Sequence, residues 1–165
     1  MKQQTSIKIH FMATAAMIAA IYVALTMIGA AFSFGEIQVR FSEALTILPA
    51  FTPAAVPGLF IGCLLSNILG GCILPDIIFG SLATLIGAFF TWKIRNLNKY
   101  LAPVPPIIAN ALIVPFILKF GYQLPLPVPF MMVTVGIGEI ISCGVLGMIL
   151  YKSLAKYKNI LFKTI

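Results

Sequence analysis

Four side chains suited to charge-assisted recognition fall within a short stretch: Glu36, Gln38, Arg40 and Glu43. They belong to a chain that is 9% charged and 61% hydrophobic. Carboxylates accept hydrogen bonds, a guanidinium donates them and an amide does both. Along an extended stretch Glu36, Gln38 and Arg40 alternate onto one side; the other reading of the segment is a solvated loop. Glu139 stands within the Gly-rich run 135–142. A carboxylate in so apolar a segment must face an interior, either toward a ligand or toward a cation such as Lys119 or Arg40. Asn67 and Asn110 are amides inside apolar runs, able to read a heterocycle edge or to bond a neighbouring helix. Asp76 could bind a ligand or cap a helix. Phe34, Phe41, Tyr122 and Phe130 could stack on a planar ring, although aromatics also belt membrane interfaces. The chemistry these residues offer is non-covalent capture of a cationic or donor-rich solute.

The elements that must position them are apolar. A mean hydropathy of +1.07 over 165 residues, with apolar runs near bilayer length, predicts an integral membrane protein. The fold expected is an all-α bundle of six transmembrane helices in a single membrane domain over 1–165. The helices are expected at about 9–31, 41–52, 55–74, 76–94, 104–119 and 129–151. Pro53 and Pro57 break the second helix from the third, and the second is too short to cross a bilayer alone. It should therefore be tilted, extended or buried by its neighbours. No cleavable signal peptide is evident, because the first apolar segment has the length of a span.

The formal charge of +7 fits the positive-inside rule better than a nucleic-acid partner. With six spans and both termini inside, Lys2 and Lys8, then Lys93, Arg95 and Lys99, then Lys152, Lys156, Lys158 and Lys163 all lie on the cytoplasmic side. Only Arg40 and Lys119 fall outside. Fusing 41–74 into one helix would break this pattern. Glu36, Glu43 and Asp76 then sit toward the outer face, with Glu139 roughly 15 Å below the outer end of its helix. Anionic groups thus mark an outward cavity.

Two helices carry small-residue stripes. Ala16, Ala20 and Ala24 repeat every fourth residue in the first, as do Ala15 and Ala19; Gly58, Gly62, Ser66 and Gly70 do so in the third. Such faces let helices approach closely, and the alanine-rich one could dock a separate membrane subunit. There is no GxxxxGK[ST] phosphate loop, no HExxH and no triad. Cys63, Cys72 and Cys143 lie in apolar segments without metal spacing and read as small core residues. No catalytic residue, cofactor or metal is expected, and His10 is a lone histidine near the start of a helix.

The run Phe-Gly-Glu-Ile-Gln-Val-Arg-Phe-Ser-Glu-Ala-Leu-Thr-Ile-Leu-Pro (34–49) is followed by the segments 51–63, 67–71 and 76–84. Together they closely resemble the QueT family. Its members are substrate-binding (S) components of energy-coupling factor (ECF) transporters, associated with uptake of queuosine precursors. The resemblance is specific over most of 10–95 and weaker over 96–165. It implies a non-catalytic plasma-membrane subunit with six helices and an outward cavity roofed by the first outer loop. It also implies docking on a scaffold membrane subunit, which carries two ABC ATPases, through AxxxA faces such as Ala15/Ala19 and Ala16/Ala20/Ala24. The ligand it implies is a 7-deazaguanine, in particular the 7-aminomethyl form, with Glu36, Gln38, Arg40, Glu43, Asn67, Asp76, Asn110 and Glu139 as candidate binding residues. The alternatives are an S component for another nutrient such as a vitamin, or a stand-alone secondary carrier. The latter usually shows repeated midplane breaks, and none is evident.

Overall fold

The computed structural model describes residues 2–29 and 40–157. Among these the chain is helical throughout, in six segments with no strand. Helix α1 is Lys2–Ile28 and α2 is Phe41–Ala50, wound as a 3-10 helix with Pro49 inside it. Helix α3 is Ala55–Leu69, α4 is Asp76–Ile94, α5 is Val104–Phe116 and α6 is Val128–Ala155. The stretches Gln4–Ile28, Asp76–Ile94, Lys99–Gly121 and Val128–Ala155 are long and apolar enough to cross a bilayer. Helix α3 is apolar but shorter.

These bounds lie near those expected, with differences at three helices; the sixth runs on to Ala155 instead of ending at 151. The first helix starts earlier and stops at Ile28 instead of continuing to 31. The third stops at Leu69 instead of running to 74, because the chain turns at Gly70 and Gly71. Gly71 has φ +70°, a left-handed conformation that glycine adopts at little cost.

The bundle closes in chain order, α1 on α3, α3 on α4, α4 on α5 and α5 on α6. Helix α2 is threaded through it, touching α1, α3, α4 and α6. Its residues Ser42, Glu43, Leu45, Thr46, Ile47, Leu48 and Pro49 are all buried. Burial by neighbours is therefore how the short second helix is accommodated. Glu43 is thereby carried into the interior.

Small residues set the α1–α3 distance. A Cβ on Gly58 would lie 2.7 Å from the Ala15 carbonyl oxygen, and one on Gly62 would lie 2.8 Å from Tyr22 Cβ. The two alanine stripes of α1 thus have different neighbours. Ala15 and Ala19 are buried against α3, whereas Ala16, Ala20 and Ala24 are exposed. Beside this seam lies an apolar core of Ile18, Tyr22, Leu45, Leu48, Leu59 and Ala88. Much of the outer surface is large and apolar, including Met12, Met17, Ile108, Leu112 and Val133.

Three stretches widen to π-helical winding: Asp76–Gly80 at the start of α4, Ile117–Gly121 continuing α5 and Ile140–Leu146 within α6. Such turns re-aim side chains and cluster at functional sites. The first begins with Asp76, the second precedes Tyr122 and the third follows Glu139.

Candidate functional site

Polar side chains from all six helices converge on one buried cluster. Glu43 on α2 is 1% exposed. Its Oε1 accepts from the hydroxyl of Tyr22 on α1. Among the described residues its Oε2, also buried, has no hydrogen-bond partner. An unsatisfied carboxylate oxygen inside an apolar bundle is costly, which makes this atom the one most in need of a donor. Helices α1 and α2 are joined again one turn on, where the Thr26 and Ser42 hydroxyls are 2.7 Å apart.

Glu139 on α6 differs. Its Oε1 accepts from Asn110 Nδ2 at 2.9 Å, and its Oε2 accepts from the Cys143 thiol at 3.0 Å. Thr46 Oγ1 donates to the Glu43 carbonyl at 2.6 Å and lies 3.3 Å from Cys143 Sγ. The two glutamates are therefore braced through one thiol and one hydroxyl. Lys119, the alternative partner for Glu139, points elsewhere: its Nζ donates to the Leu124 and Leu126 carbonyls at 3.4 and 3.2 Å.

On the other side, Arg40 Nη1 donates to Asn67 Oδ1 at 3.1 Å. Asn67 Nδ2 donates to the Asp76 carbonyl at 3.2 Å. The Asp76 carboxylate accepts from Tyr122 Oη at 3.0 Å and caps no helix end. Burial, and next the Asp76 charge, push the Tyr122 hydroxyl above its ordinary range, so it remains a donor. A side chain at Gly80 would meet Asp76 Oδ1 at 2.8 Å and Asn67 Nδ2 at 3.2 Å. The absence of a Cβ there lets this pair close over α4.

Arg40, Glu43, Asp76, Gly80, Thr84, Asn110, Val114 and Glu139 surround a gap whose solvent space is about 10 Å³, room for about one water. A planar heterocycle enters only if these walls move apart. Three carboxyl side chains and a single guanidinium line it, so the gap is rich in hydrogen-bond acceptors. The donor atoms of Glu43, Glu139 and Cys143 lie within 4.8 Å of one another and could approach a small cation, but Arg40 on the same gap opposes one.

Of the predicted binding residues, Arg40, Glu43, Asn67, Asp76, Asn110 and Glu139 share this cluster, and Glu36 and Gln38 lie outside the described residues. Tyr22 and Cys143 were missed: a tyrosine in an apolar helix and a lone cysteine look like packing. Tyr122, a candidate either for stacking or for an interfacial belt, places its hydroxyl on Asp76. The described lining residues include no aromatic; Phe41 and Phe130 are exposed and Phe34 is outside the described residues.

The family described as the QueT transporter matches residues 12–156. A queuosine precursor transporter QueT of Lactococcus lactis subsp. cremoris (strain MG1363) is 40% identical over 81 residues, 48% of this chain and 47% of that protein. The chain therefore spans about half the length of the curated relative it matches. No solved structure matches the chain.

Proposed function

Because the chain belongs to the QueT transporter family and is a multi-pass membrane protein, we propose that it is the substrate-binding subunit of an ECF-type importer for a queuosine precursor. The cargo that suits its chemistry is 7-aminomethyl-7-deazaguanine. The observation that carries this reading is the buried, unpartnered Oε2 of Glu43 in a gap bounded by acids, amides and one arginine. The edge of a guanine-like base offers N–H donors that a carboxylate accepts, and Glu43 is the natural acceptor. Arg40 and Asn67 can donate to the base carbonyl. The protonated aminomethyl group then meets Glu139, a second carboxylate already held by Asn110 and Cys143.

The gap opens to admit the base and closes over it. Glu36 and Gln38, on the connector between α1 and α2, are proposed to complete the roof. The termini and the basic clusters at 93–99 and 152–163 face the cytoplasm, and the cavity faces outward. Docking on a scaffold subunit uses the exposed Ala16, Ala20 and Ala24 face, because Ala15 and Ala19 are already occupied by α3. ATP is hydrolysed by two partner ATPases, and this chain contributes binding alone.

The test is calorimetric titration of the detergent-solubilised protein with a panel of deazapurines and vitamins. Saturable binding of the 7-aminomethyl deazaguanine, with no heat from the vitamins, supports the reading. Binding of a vitamin in preference to any deazapurine overturns it.

A further inference from the structure

We propose that the crease between α4 and α5 is a binding site for an anionic phospholipid, with one acyl chain in the crease and the phosphate held by Lys93, Arg95 and Lys99. The crease is apolar, about 400 Å³ in volume, and its walls include Ile86, Phe90, Ile94, Val104, Ile108 and Leu112. At Leu112 it joins a second apolar trough of about 530 Å³ that reaches Phe79 and Phe120 near the other end of both helices. From Ile86 to Ile94 the crease is roughly 12 Å long at the α-helical rise, close to one leaflet of a hydrocarbon core about 30 Å thick.

The crease is preformed. A Cβ on Gly87 of α4 would lie 2.6 Å from the Cα of Pro106 on α5, so the two backbones touch there. Thr91 Oγ1 donates to the Ala102 carbonyl at 2.8 Å, a second clasp between α4 and the entry to α5. The helices are pinned along one line and leave a fixed furrow beside it. A furrow that exists before its guest arrives spares the ordering cost of binding.

Charge identifies the guest. Ile94 and Val104 form the end of the furrow, and Lys93, Arg95 and Lys99 lie beside them in the chain, all exposed. No acidic residue occurs in the chain between Asp76 and Glu139, so these cations have no acidic neighbour in sequence. Lys93 Nζ and the Arg95 guanidinium lie 5.4 and 5.0 Å from the Trp92 ring centroid. That cation–aromatic grouping suits the headgroup layer. Arg95 Nη1 already donates to the Trp92 carbonyl at 2.8 Å, and its remaining N–H groups can donate to a phosphate. Basic sites between spanning helices are where acidic headgroups bind. Helix α1 packs on α2 and α3, whereas the furrow lies between α4 and α5.

The experiment is native mass spectrometry of the delipidated full chain, titrated with phosphatidylglycerol and phosphatidylcholine of identical acyl chains. At about fivefold per cation, phosphatidylglycerol is expected to bind about a hundredfold more tightly. The triple variant Lys93→Gln, Arg95→Gln, Lys99→Gln should bind it no better than phosphatidylcholine. Ile108→Trp, which fills the furrow from a lipid-facing position, should weaken both lipids. Glycerol phosphate, a headgroup without chains, should not compete. Equal binding of the two lipids by the unaltered chain would overturn the proposal. So would a lipid preference that survives the triple variant, unchanged binding by Ile108→Trp, or displacement by glycerol phosphate.

Discussion

Replacing Glu43 by Gln keeps the shape of the side chain and removes its charge. The carboxylate serves one group and is proposed to serve a second: Oε1 accepts from Tyr22, and Oε2, buried and unpartnered among the described residues, is left for the ligand. A neutral amide can serve both only by turning round, so that its NH2 donates to the Tyr22 oxygen and its carbonyl accepts from the ligand. Tyr22 then loses its carboxylate acceptor, and the ligand's N–H meets a neutral oxygen in place of a charged one. Truncating one side of a buried, charge-assisted pair costs about 2–5 kcal/mol, a loss in affinity from about 30-fold to several-thousand-fold. Glu139→Gln is different, because Glu139 already accepts from Asn110 at 2.9 Å and Cys143 at 3.0 Å. Its proposed task is only the ligand's ammonium. The assay is calorimetric titration of each variant with the 7-aminomethyl deazaguanine and with its 7-cyano analogue, which has no ammonium. Glu43→Gln should weaken both ligands, whereas Glu139→Gln should weaken only the amine. Glu43→Gln within about twofold of the unaltered protein, or Glu139→Gln weakening both ligands equally, would refute the assignment.

Tyr22→Phe leaves Glu43 Oε1 without its donor inside the core; it should cost about 1–3 kcal/mol of stability and weaken ligand binding, and unchanged thermal unfolding together with unchanged affinity would show the bond to be idle. Gly62→Ala forces a methyl to within 2.8 Å of Tyr22 Cβ. Overpacking of this kind costs about 1–3 kcal/mol and should lower the melting temperature, whereas alanine at Gly144, whose nearest neighbour would be 3.7 Å away, should not. Ala20→Trp on the exposed face of α1 should abolish co-purification with the scaffold subunit while leaving ligand affinity intact; normal assembly would exclude that face.

Much of the cluster was legible because ionisable and amide side chains in apolar runs have few places to go. Glu43, Asn67, Asp76, Asn110 and Glu139 each interrupt such a run, and each turns inward. Tyr22 and Cys143 could not be found that way, since neither disturbs the hydropathy of its helix. Their roles come from which neighbour tertiary packing sets beside them. The helices themselves followed from the lengths of the apolar runs and the breaks at Pro53 and Pro57. The π-helical stretches did not, because one extra residue per turn depends on what packs against the helix and not on its composition. The burial of α2 was half-readable: ten residues are too few to span at about 1.5 Å each, but only the packed bundle supplies its neighbours. The two alanine faces of α1 look alike in sequence. What separates them is the matching spacing of Gly58 and Gly62 on α3, which accommodates Ala15 and Tyr22 and leaves Ala16, Ala20 and Ala24 outside.

The most direct measurement is the structure of the protein solved with a 7-deazaguanine bound. The expected result is the base lying between α2 and α6, with an N–H of its guanine-like edge within hydrogen-bonding distance of Glu43 Oε2. A base bound elsewhere, or one held in this gap with Glu43 Oε2 still lacking a donor, would contradict the account.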